Sequence, residues 1–89
     1  MKIKEDLMLR NICDEWVVVP MGARLQEFNG IMKLNESGAF IWKLLQQENK
    51  KEDIIRELLN EYDIDEKEAT REVDDFIDML SKKNVLEGI

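Results

Sequence analysis

Three aspartates, Asp74, Asp75 and Asp78, crowd one stretch near the C-terminus, and clustered carboxylates are the hard oxygen donors that divalent cations take. Their spacing is helical and lacks the glycine-kinked loop of a calcium site, so they read as surface acids of a helix. The rest of the reactive inventory is sparse. One cysteine, Cys13, and no histidine remove an intrachain disulfide, a Cys/His zinc cluster and every histidine-based triad. Gly22, Gly30, Gly38 and Gly88 are too dispersed to cradle a phosphate, and no Gly-Lys-Ser/Thr sequence occurs. No catalytic residue, cofactor or metal is expected; what remains is binding.

Charge narrows the partners. The net charge is −7, yet residues 1–34 balance five bases against five acids, whereas 65–78 set seven acids against Lys67 and Arg71. A field of that sign repels phosphates, so no nucleic-acid partner is expected. The plainer reading is a solvated helix face kept soluble by its charge. No run of roughly 18 apolar residues occurs, and MKIKEDLMLR lacks a signal peptide's apolar core, so the expectation is a cytoplasmic chain with no membrane partner. Eighty-nine residues suit one domain over 1–89, small enough to bury only about 60–65% of its unfolded surface.

The elements that would position a binding site follow from periodicity. Leu7 to Cys13 and Glu15 to Pro20 read as strands of a tight hairpin turning at Asp14 and Glu15. The run Trp16 to Val19 puts apolar groups on both sheet faces, one for the helices and one that is either partly exposed or a docking patch. Met21 to Gln26 reads as a loop, and a strand over Leu25 to Phe28 is left open. Asn29-Gly30 is a favoured turn pair leading into a third strand, Ile31 to Leu34, guarded at its edge by Lys33.

Asn35 then stands where a helix N-cap belongs, with Glu36 at the positive helix end. Phe40, Ile41, Leu44 and Leu45 form one apolar face, with Ala39 beside it and Trp42 flanking. Asn49 with Glu52 suggests a capping box for a second helix, whose buried face is Ile54, Ile55, Leu58, Leu59 and Tyr62. Asp65 with Glu68 repeats that signal for a third, striped by Ala69, Val73, Phe76, Ile77 and Leu80. Met79 at the edge of this stripe suits either a gap in the core or a shallow groove. Asn84 ends the helix, Val85-Leu86 offers a short closing strand, and Gly88 and Ile89 are expected to fray. The fold class is α+β, a three-stranded antiparallel sheet followed by three helices.

Ser37 sits in Glu-Ser-Gly, not in the Asp-Ser-Leu attachment motif of acyl carrier proteins, which sets that family aside. The combination Phe28-Asn29-Gly30, Leu34-Asn35-Glu36-Ser37-Gly38-Ala39-Phe40-Ile41-Trp42, Ile54-Ile55 to Leu59, Tyr62, and Phe76-Ile77 to Leu86 resembles the PqqD family, named for coenzyme PQQ synthesis protein D. The similarity runs over residues 7–87, and its most specific part is the strand-Leu-Asn-x-x-Gly-helix junction. The resemblance implies a small winged-helix-like domain that does no chemistry. In that family it recognises the leader of a ribosomally made precursor peptide and presents it to a modifying enzyme, often a radical S-adenosylmethionine protein. It also implies that the leader adds as a strand beside the third strand, in a groove walled by the third helix.

Strand addition explains such a mechanism physically, since main-chain bonds bind any extended peptide and groove side chains choose among them. The expected pairing residues are Ile31, Met32, Lys33 and Leu34; a helical wheel puts Glu72, Phe76, Met79 and Lys83 on the wall. The acidic third helix would favour a leader carrying Lys or Arg, through a contact that salt weakens. Two other classes share the architecture: a winged-helix transcriptional regulator, which the acidity disfavours, and a structural homodimer built across the outer sheet face.

Overall fold

The computed structural model describes residues 1–22 and 31–88. The Asn29-Gly30 turn, most of the Met21 to Gln26 loop, the open strand over Leu25 to Phe28 and the fraying of Ile89 lie outside the described residues. Within them the order is β1 (Lys2–Ile3), β2 (Leu7–Ile12), β3 (Glu15–Pro20), β4 (Met32–Leu34), α1 (Glu36–Leu45), α2 (Lys51–Glu61), α3 (Glu66–Lys82) and β5 (Leu86–Glu87). β2, β3 and β4 form an antiparallel sheet in that spatial order, and β1 pairs with β5 in a separate ribbon. This is the expected small α+β, winged-helix-like arrangement, with the β1–β5 ribbon added. Two residues are too few to show alternation, so β1 leaves no sequence signal.

The hairpin turns one residue earlier than expected. Cys13 and Asp14 occupy the turn with φ of 52° and 65°, and Glu15 already pairs with Ile12. A two-residue turn with positive φ at both central positions twists with its strands, whereas a turn at Asp14-Glu15 would break the Ile12–Glu15 pair. Left-handed backbone suits glycine best, asparagine and aspartate less well, and cysteine poorly. The double change Cys13→Asn, Asp14→Gly is therefore expected to raise stability by about 1 kcal/mol, read as a higher urea midpoint with unchanged slope.

Alternation along β3 decides what each face does. Val18 stands in register with Leu9 and Met32 and points into the main core, where Ile41, Trp42, Leu45, Ile54, Leu58, Val73 and Leu80 meet it. Val17 points the other way, between Arg10 and Lys33, and is still only 6% exposed. The outer face is therefore not an open apolar patch at its centre, which weakens the docking and homodimer readings of that face. Trp16, on the core side, lies under the Lys43 ammonium, 4.4 Å from its ring centre.

Asn35 caps α1 as expected, its side chain accepting from the Gly38 amide at 2.8 Å, and Asp65 caps α3 by accepting from Glu68 at 2.8 Å. Asn49 does something else. Its Nδ2 donates to the Leu44 carbonyl at 2.7 Å, closing the end of α1, while α2 begins after Lys50 with no side-chain cap. Trp42 is not at the flank of the apolar face but fully buried in the core, with Phe40 and Leu44 only partly buried. α3 ends on Asn84 in left-handed backbone (φ 58°), with Asn84 N–H donating to Ser81 and Val85 N–H to Leu80. That pair of bonds satisfies the last carbonyls and docks Val85 on the core ahead of β5.

Candidate functional site

β4 lies at the edge of its sheet. Its residues pair with Trp16, Val17 and Val18 on one side, and among the described residues no strand or other main-chain partner meets Ile31 to Leu34 on the other. An edge of this kind offers a row of N–H and C=O groups to an incoming extended chain. Ile31 precedes β4 and is 62% exposed, Lys33 is exposed with its ammonium 3.7 Å from Glu15, and Leu34 is half-buried. Met32 is buried in the core, so only its main chain is left at the edge.

Where β4 ends, a groove of about 300 Å³ opens between α1 and α3. Asn35, Ser37, Gly38 and Ile41 supply one wall; Glu72, Asp75, Phe76 and Met79 supply the other. The two walls come close because Gly38 has no side chain: a Cβ there would meet Phe76 Cε1 at 3.2 Å and Asn35 Oδ1 at 3.0 Å. Ser37 Oγ stands 3.2 Å from Asn35 Oδ1 and 3.5 Å from Glu72 Oε1, linking cap and wall. An adjoining hollow of about 300 Å³ is bounded by Glu36, Tyr62, Ile64 and the other side of Glu72. Phe40 meets the Tyr62 ring edge-on at 5.7 Å and fixes it there.

Three of the expected wall residues, Glu72, Phe76 and Met79, are thus brought together on the groove. Lys83 is exposed at the C-cap of α3 and is not among its lining. The α1 wall escaped sequence reasoning, because Asn35 to Ala39 reads first as a helix start. The available signal was Gly38, a glycine inside a helix, which marks close approach of another element. The three aspartates go separate ways: Asp74 pairs with Lys51 of α2, Asp78 with Lys82 at 3.1 Å, and Asp75 faces the groove.

The electrostatics of the hollow show in Tyr62. Partial burial raises its phenol above the ordinary 10.0, and the carboxylates of Glu36, Glu61 and Glu72 raise it further. The folded chain therefore prefers the neutral phenol. The stability this contributes is fully present below pH 10.0 and is lost as pH rises through the folded value. Tyr62 is the sole tyrosine, so tyrosinate absorbance is expected to titrate above its ordinary value in the folded chain and to move down in Glu72→Gln. A midpoint at or below the ordinary value would contradict the geometry.

Comparison with known proteins places these features. No helix among the described residues is long and apolar enough to cross a membrane. No curated protein matches the sequence. Among solved structures, TbiB1 in complex with the TbiA(beta) leader peptide is 29% identical and superposes with a TM-score of 0.77, covering 100% of this chain and 98% of that one. A lasso peptide synthetase B1 complexed with the leader peptide shares the fold at 16% identity and a TM-score of 0.74, over 98% of this chain and 96% of the other. The sequence profile of coenzyme PQQ synthesis protein D matches residues 15–86, and the chain belongs to that family, PqqD.

Proposed function

We propose that residues 1–89 form one recognition unit that binds the leader of a ribosomally made precursor peptide and presents it to a modifying enzyme, without chemistry of its own. The leader pairs with β4 by strand addition, along Ile31, Met32, Lys33 and Leu34, and its side chains reach the groove walled by Glu72, Phe76 and Met79; Lys83 stands at the far end of that helix. The observation that carries this reading is a sheet edge without a described partner that leads into an apolar-floored groove. Membership of PqqD and the 29% identical TbiB1, solved with a leader peptide, support it. The family resemblance is also what points to a radical S-adenosylmethionine enzyme as the partner, while the cytoplasm as the place rests on the lack of a signal-peptide core or long apolar run in the sequence.

The test is binding of the leader encoded by a precursor gene beside this one. Calorimetry is expected to give a one-to-one complex at micromolar affinity or tighter, roughly −8 kcal/mol. Retention of random duplex DNA at low salt, with no leader binding, would instead favour a winged-helix regulator. Sedimentation as a dimer without any peptide would favour the structural subunit.

A further inference from the structure

Resting on the leader-binding reading, we infer that the groove between α1 and α3 selects a lysine or arginine of the bound peptide, its stem on the floor and its charged head between Glu72 and Asp75. Half of the six acids of α3 are paired with a cation, and Glu66 at its start lies away from the groove lining. Asp65 caps the helix, Glu68 lies 4.0 Å from Arg71, Asp74 pairs with Lys51, and Asp78 pairs with Lys82. Glu72 and Asp75 have no cationic partner among the described residues, and both line the groove. Among the described residues the side-chain hydrogen bond to Glu72 comes from the Ser37 hydroxyl at 3.5 Å, the long limit for such a contact.

The groove that the two carboxylates line also has an apolar part. Ile41, Phe76 and Met79 line it, with the Phe76 ring lying close against Gly38 of α1. A long aliphatic stem ending in a cation matches a floor of this kind under an acidic rim. A leucine or methionine would fill the floor but leave both carboxylates unpaired, and a glutamate would be repelled. The field extends into the adjoining hollow, where Glu36 and Glu72 act on Tyr62 after its burial. Glu72 is half-buried, so its pairing with a cation is screened less by salt than a fully exposed pair.

The experiment is selection of short random peptides, displayed on phage, against the full chain. Enriched peptides are expected to carry Lys or Arg at one fixed place beside apolar residues. Selection on the Glu72→Gln, Asp75→Asn variant should lose that preference. In an enriched peptide, replacing the basic residue by norleucine should weaken binding to the original chain about tenfold and leave binding to the variant nearly unchanged. If the variant fails to fold by circular dichroism, the lysine and norleucine peptides on the original chain decide alone. Peptides that perturb β4 amides yet show no basic preference overturn this inference and leave the leader-binding reading standing. Peptides that bind elsewhere, or no enrichment at all, overturn both.

Discussion

Replacing Trp42 by alanine is expected to remove a large share of the stability of the chain, a loss of about 3–5 kcal/mol. A domain of this length has in total roughly 0.05–0.15 kcal/mol per residue, so such a loss takes a large share of it. Trp42 is 0% exposed, at the centre of the cluster joining the inner face of the sheet to α2 and α3. Its indole N–H is buried and finds no acceptor among the described residues, which is costly in its own right. That gives the site a second, distinguishing outcome. Trp42→Phe sheds the orphan donor along with part of the ring, and is expected to cost only about 1–2 kcal/mol. Denaturation followed by circular dichroism checks both, and a loss under 1 kcal/mol for the alanine variant would contradict the placement of this ring.

The second large effect concerns β4. Successive amides of an antiparallel strand point to opposite sides, so proline at Lys33 and proline at Leu34 delete N–H groups on opposite edges. One removes a ladder bond to β3 and is expected to destabilise the fold. The other removes an outward donor and is expected to weaken peptide binding tenfold or more with the fold kept, about the effect of one buried acceptor left unpaired. Thermal melts and peptide binding, measured on both variants, should therefore separate. Proline at Met32 is a poor probe, because that side chain is in the core. Two variants with unchanged peptide affinity would remove β4 from the site.

Much of this was legible in the sequence where a local rule decided the matter. The caps at Asn35 and Asp65, the stop at Asn84 and the stripe from Ala69 to Leu80 each follow from spacing within one element. What sequence missed depended on partners far along the chain. Asn49 sits before a helix and matches a capping box, yet the Leu44 carbonyl behind it wins its side chain. Trp42 falls at the flank of an apolar wheel, but the wheel assumes one core-facing side, whereas α1 is covered by the sheet and two helices. β1 exists because β5 returns to it, which no short-range pattern announces. The groove was half legible for the same reason. Glu72, Phe76 and Met79 share a helical face, while the opposite wall exists only because Gly38 lets α1 close on Phe76.

The most direct test of strand addition is an amide map. An isotope-labelled sample is titrated with the leader of the neighbouring precursor, and its backbone resonances are followed. The amides of Ile31 to Leu34 are expected to shift first and furthest, with those of Glu72 to Met79 following. Shifts confined to α1, or to the outer face of β2, would contradict it.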